Sequence, residues 1–371
     1  MMTTDRTTIS RRLAVRRRTH RPPAGAFKAA HRSILAPLAA TIAATVAVAL
    51  LLLLSERERR SAKAREDGDR RFELLPGELP GEGLRRIALG QFAEAIELLE
   101  GAGRTVPQEA AVHDTRKALK RLRALLRLIR RDLGESAFAR EDTLLREAGL
   151  RLAGAREAHV MVATLDGLLA RHPRRLGRRA GVRRFRDELL AEHERAAEEL
   201  LGEGPMREEV LLELAGSRER VAAWRLPERS GLGTVQDGLR YTYRDGRRRF
   251  RRASSGRGGR LRRMHRWRKQ VKHLRYAAEI LDFRGLARRT SELAEVLGEE
   301  RDLALLAKRI RVASKHERAG EGGRRRLLKV IARRRRKLRR RALNLGGRVY
   351  RRRPRVFIKR IGRRYASRAG R

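Results

Sequence analysis

The chain has 371 residues, with 93 Lys plus Arg against 44 Asp plus Glu, a formal net charge of +49. A surplus of that size repels itself in a compact state and implies a polyanionic partner: nucleic acid, an anionic membrane or a phosphate polymer. A hydrophobic share of 41% excludes a mere disordered basic tail, and the absence of cysteine excludes disulfides, iron–sulfur clusters, thiol nucleophiles and cysteine-based zinc sites.

Many Leu, Ala, Arg and Glu, with only 4% aromatics and 10 Pro, predict an all-α fold. Residues 1–32 read as a basic, disordered leader, broken by Pro22-Pro23 and Gly25. Residues 33–54 carry no charge and end in five leucines, Leu50 to Leu54. About 22 apolar residues suffice for a helix to cross a hydrocarbon core, so a single transmembrane helix is expected there. Both flanks of this segment are basic, and the N-terminal one carries more Lys and Arg, which favours a cytoplasmic N-terminus with the main domain outside, although the basic residues Arg57 to Arg65 blur the orientation. Residues 55–71 form a charged linker.

From residue 72 onward the pattern changes. Phe72-Glu-Leu-Leu75 and two Pro-Gly turns lead into apolar residues at helical spacing: Leu84, Ile87, Phe92, Ala95, Ile96 and Leu99. Further amphipathic helices are expected over 108–133, 137–152, 155–171, 182–202, 207–224, 233–252, 259–283, 286–297 and 300–313. No segment alternates like a strand. Residues 322–371 contain no acid and are expected to form a basic helical tail that frays.

One internal repeat organises these helices. Residues 113–123 read His-Asp-Thr-Arg-Lys-Ala-Leu-Lys-Arg-Leu-Arg, and residues 265–275 read His-Arg-Trp-Arg-Lys-Gln-Val-Lys-His-Leu-Arg. The shared pattern is H-x-x-R-K-x-x-K-x-L-R. On a helix, His113, Arg116, Lys117 and Lys120 fall on one stripe, with Arg123 and Arg127 at its edge, while Leu119, Leu122, Leu126 and Ile129 form a neighbouring core-facing seam. His265, Arg268, Lys269, Lys272 and Arg275 repeat the arrangement. Like charges at these spacings oppose one another, and neither stretch has an acid of its own between Asp114 and Asp132 or between Asp245 and Glu279. Two unrelieved copies predict an anion site built from two related helices.

Arg244, Arg247 and Arg251 make a third basic stripe. Arg156-Glu157 and Arg301-Asp302 each place an Arg beside an acid at an expected helix start, suited to capping or to holding basic side chains in place. The nine histidines show no H-E-x-x-H spacing, so the sequence points to no metal and no cofactor.

These residues resemble the CHAD family, the conserved histidine α-helical domain. Phe72 to Glu78 is similar to the family's start. His113, Arg116, Lys117, Lys120, Arg121 and Arg123 are similar to its first signature helix, and His265, Arg268, Lys269, Lys272, Arg275 and Tyr276 to its second. Leu297 to Asp302 is similar to the segment that follows. The resemblance covers residues 72–345, in halves of about 72–203 and 204–345, and leaves 346–371 as a basic tail. It implies duplicated antiparallel four-helix-type bundles related by a pseudo-twofold axis. It also implies a central basic groove that binds inorganic polyphosphate without catalysis.

Two features depart from or lie outside that pattern: Glu157 stands where the family usually has Asp, and residues 33–54 lie outside the domain. The expectation is therefore a non-enzymatic polyphosphate-binding protein anchored by a single membrane pass. Without the N-terminal segment, a cytoplasmic location associated with polyphosphate granules is expected. The alternative is a general binder of nucleic acid or anionic lipid, served by the basic tail. No P-loop and almost no acid in the basic stripes argue against an enzyme.

Overall fold

A computed structural model describes residues 72–369, apart from 153, 178, 203, 228, 230–231, 256–258 and 317–320. The side chains of 154–158, 196–202, 204, 260, 314–316, 321 and 368–369 are likewise not described. The leader, the apolar segment 33–54 and the linker lie outside the described residues. Among the described residues no helix is long and apolar enough to cross a membrane.

The described chain is helical, with no strand. Eleven α-helices follow in order: α1 (Pro80–Glu100), α2 (Gln108–Leu133), α3 (Glu135–Arg151), α4 (Gly154–Arg171), α5 (Ala180–Gly202), α6 (Gly204–Ala222), α7 (Gly233–Ser254), α8 (Arg260–Ile280), α9 (Arg284–His316), α10 (Glu321–Val349) and α11 (Pro354–Ala369). A π-helical turn, Pro173–Gly177, joins α4 to α5. The expected segments over 286–297 and 300–313 are one continuous helix, α9. Gly298 does not break it, since Leu297 is buried and Glu299 and Glu300 are held by α10.

Packing sorts the helices into rings. Helices α1, α2, α3 and α6 contact one another in a closed circuit, and so do α4, α5, α10 and α9. Between them, α2 also meets α7 and α8, so the two signature helices lie against each other. The apolar seam of α2 explains its central place: Leu119, Leu122, Leu125, Leu126 and Ile129 are all buried, which leaves its cations on the remaining faces.

Helix α2 turns into α3 through a single residue, Gly134, at φ 82° and ψ 157°, a region essentially closed to side-chain-bearing residues. The lead-in is tied down at both ends. Leu74 N–H donates to Ile280 O (2.8 Å), and Arg86 grips both oxygens of Glu78 (2.6 and 2.7 Å).

Buried acids bind helix to helix. Glu141 of α3, 1% exposed, accepts from Arg220 (2.7 Å), Arg140 (3.0 Å) and the Ser217 hydroxyl. Burial alone would raise its pKa, but these donors hold it below the ordinary value. Glu300 of α9 serves Arg335 and Arg339 of α10 in the same way (both 2.8 Å), whereas buried Asp245 pairs within α7, with Arg248 and Arg249 one turn on.

The acid-free C-terminal segment is not a fraying tail across its described length. Phe357, Ile358 and Ile361 form an apolar stripe on α11 that packs on α7, where Phe357 stacks on Tyr243 with ring centroids 3.8 Å apart.

Candidate anion-binding site

The two cationic rows converge. Lys272 of α8 lies close enough to Lys120 of α2 for each charge to disfavour the other, and Lys269 is disfavoured by Arg123 and Arg127 of α2. Arg146 of α3 and Arg301 of α9 crowd Lys269 as well. The meeting of α2, α3, α8 and α9 is thus a concentration of positive charge drawn from four helices.

Its electrostatics follow from burial and repulsion. Burial pushes Lys272 down to about 6, helped by Arg268, Lys120 and Arg275 and opposed by Asp302. Burial, then Arg301, Lys269 and Arg268, pushes His265 down to about 4, so this imidazole is neutral near pH 7. His265 Nδ1 and Arg268 Nε are buried with no hydrogen-bond partner among the described residues. Polar atoms left this way are costly unless a ligand or water completes them.

Not every predicted cation is available to a ligand. Arg123 makes a two-pronged pair with Asp142 of α3 (2.9 and 3.0 Å), and Arg127 reaches the same carboxylate (2.9 Å). Burial would raise Asp142, yet these two arginines keep it below its ordinary value. Arg275 pairs with Glu279 (2.6 Å), and the Arg116 guanidinium donates to Gly149 O on α3. The expectation of unrelieved rows is therefore corrected for these positions: α3 relieves Arg116, Arg123 and Arg127, and Glu279, one turn on in α8, relieves Arg275.

Arg121 packs away from the seam, whereas Tyr276 lies at its inner border, within electrostatic reach of Arg268 and Arg275. Arg121 is 3% exposed, with its guanidinium 4.5 Å above the Phe72 ring, and Tyr276 is 6% exposed and edge-on to the same ring. Both belong to the interior that anchors the lead-in. Lys117 is half-buried, makes no ion pair among the described residues and stays with the row; His113 is exposed one turn before it.

The third stripe diverges. Arg247 donates to Tyr350 O at the end of α10 (3.2 Å), Arg244 lies 5.7 Å from the Tyr241 ring, and Arg251 is exposed on α7. Arg301 joins the seam, and Asp302 offsets part of the charge around Arg268 and Lys272. Arg156 and Glu157 fall in the first turn of α4, and their side chains lie outside the described residues.

Sequence reasoning missed two groups here. Arg146 stands one helical turn after Asp142 on α3, a spacing that would have flagged it once α3 was placed beside the row. His273 sits where α2 and α3 meet α8, and burial followed by Arg127 and Arg123 holds it well below its ordinary pKa.

Two further basic cavities lie along the C-terminal helices. One, about 770 Å³, is lined by Arg175, Arg326, Lys329, Arg333, Arg336 and Lys337, among others; the other, about 650 Å³, is lined by Arg284, Arg289, Arg348, Arg352, Arg360 and Arg364, among others.

Fold and site together define a class: an all-helical domain in which two copies of one cationic helix lie against each other. A model of the CHAD domain matches residues 86–283, and the chain belongs to that family. Among solved structures, PptA from Streptomyces chartreusis is similar at 18% identity and a TM-score of 0.54, covering 73% of this chain and 98% of that one. The CHAD domain from the plant Ricinus communis is similar at 18% identity and a TM-score of 0.49, covering 75% and 92%. At this identity the likeness to PptA speaks to the fold alone. No curated protein matches the chain.

Proposed function

We propose that the chain binds inorganic polyphosphate, without catalysis, along the seam where α2 and α8 meet. The observation that carries this reading is the convergence of Lys120, Arg268, Lys269, Lys272 and Arg301 from three helices, where burial first and then the neighbouring cations disfavour the charge on Lys272. Such a site costs energy when empty and is relieved by a flexible polyanion, with Lys giving point charges and Arg forked contacts. The family resemblance supports phosphate polymer as that polyanion. The acids beside the seam support a binding role, since Asp142 and Glu279 are each paired with an arginine of the rows.

A pull-down on polyphosphate resin tests the reading. The combined variant K120Q, R268Q, K269Q and K272Q is expected to lose retention while its circular dichroism stays helical. Unchanged retention with intact helices rejects the seam as the site. Affinity is also expected to fall linearly in a log–log plot against salt as counterions are released.

A second reading has an observation of its own, the two arginine-lined cavities along α10 and α11. They favour less selective binding of nucleic acid or anionic lipid. Competition separates the two readings. Long-chain polyphosphate is expected to displace bound DNA or RNA at equal phosphate concentration, and the reverse to fail; displacement of polyphosphate by DNA favours the second.

A further inference from the structure

One cluster away from the seam unites three residues that the sequence scatters. Glu109 lies in the first turn of α2, His159 on α4 and His193 on α5. One carboxylate oxygen of Glu109 is 2.8 Å from His193 Nε2, and the other is 3.4 Å from His159 Nδ1. The two rings stand edge-on, with centroids 5.2 Å apart, and one ligand atom from each of the three residues lies within 4.8 Å of the others.

A hydrogen bond between Glu109 and His193 would account for one ring. It does not account for a second imidazole brought by a third helix to the other oxygen of the same carboxylate. Donors bonded to one tetrahedral zinc ion at 2.0–2.1 Å stand about 3.3 Å apart; the 3.4 Å separation at His159 falls near that value, and the 2.8 Å contact of His193 with the other oxygen is a hydrogen bond that a bound ion would replace. Two imidazoles and one carboxylate suit a borderline divalent cation and leave coordination positions open. The cluster opens on one side: His193 is 16% exposed, whereas His159 and Glu109 are about half exposed.

We propose that Glu109, His159 and His193 bind Zn²⁺, or a divalent cation of like preference, and that its open positions accept a phosphate oxygen from a chain lying along α2. The second clause rests on the polyphosphate reading above; the first does not. Glu109 shares a helical stripe with His113, Arg116, Lys117 and Lys120 and is the acid at the head of that stripe. As a bare carboxylate it would repel a phosphate chain at that end of the row. A bound dication inverts the local charge and extends the row by one ligand position.

The test uses the full, tag-free chain, stripped with a chelator and then titrated with Zn²⁺ against a chromogenic chelator. One equivalent is expected to bind, and H193A and the exposed-site variant H159A are each expected to weaken it by about tenfold or more while circular dichroism stays unchanged. Failure to bind one equivalent, or variants that bind like the parent, overturns the metal site. Substitution with Co²⁺ gives an independent readout, since d–d bands report the ligand set and should vanish in H193A.

Polyphosphate is then added to the Co²⁺-loaded chain. A shifted spectrum that keeps its intensity, with tighter polyphosphate binding than in metal-loaded H193A, supports the shared ligand. A spectrum that decays to that of cobalt in free polyphosphate, or one that does not change, overturns it. If the parent binds Zn²⁺ but retains no polyphosphate with or without metal, the functional reading fails and the metal site stands.

Discussion

Lys272 shows how a single side chain can couple binding to protons. Between about 6 and its ordinary 10.5, the unfolded chain holds a proton that the folded chain does not, so this group makes folded stability rise with pH across that window. A phosphate chain has the opposite preference, because it favours the ammonium. Binding above pH 6 therefore takes up a proton. Affinity for long-chain polyphosphate, whose titrating ends are few, is expected to rise up to about tenfold per pH unit as pH falls toward about 6, and then to level off. Calorimetry in buffers of different ionisation enthalpy measures the uptake. K272M is expected to abolish it and to flatten the pH dependence; uptake persisting in K272M would assign the proton elsewhere. The repeated motif made this row legible, because spacing alone puts His, Arg and Lys on one stripe. Spacing could not reveal that Asp142, 19 residues from Arg123, neutralises part of the row. Nor could it distinguish Arg121, buried on Phe72, from its half-buried neighbours in the row.

At the scale of helices, apolar periodicity located most elements, since burial of one face is what draws each segment into a helix. Residues 108–133 form α2 over the expected range. The periodicity failed where the outcome depended on a partner. Helix α9 runs through Gly298 because α8 and α10 hold it on both sides, and α11 packs because Tyr243 offers Phe357 a surface. Contacts between helices also set the sign of glycine substitutions. On propensity alone, Gly to Ala within a helix stabilises by about 0.5–1 kcal/mol. Gly90 of α1 has open space around it, so G90A is expected to stabilise by that amount. Gly238 of α7 lies against the backbone of Arg127 and Leu128 in α2, where an added Cβ would overlap main-chain atoms. G238A is therefore expected to destabilise by about 1–3 kcal/mol. Urea melts of both variants check the pair, and equal shifts of the same sign would refute the close approach of α7 to α2.

For the whole molecule, the net charge of +49 has two separable effects. The described acids engage arginines, Glu141 and Glu300 between helices and Asp245 within α7, and the large surplus of positive charge that remains repels itself over the surface. Simple salt screens that repulsion, with a Debye length near 10 Å at 0.1 M and about 3 Å at 1 M. Sodium chloride is thus expected to raise the melting temperature gradually, and equally in the parent and in the four-residue seam variant. A ligand that occupies the seam stabilises by mass action instead, by about 2.7 kcal/mol at a hundred times its dissociation constant. For a domain of this size that amounts to about 5–10 °C. Thermal melts in 0.15 M salt with rising long-chain polyphosphate should show this increment in the parent and lose most of it in the seam variant, which keeps its response to sodium chloride. If both proteins gain equally from polyphosphate, the stabilisation comes from the diffuse charge of α10 and α11, and the seam has no privileged role.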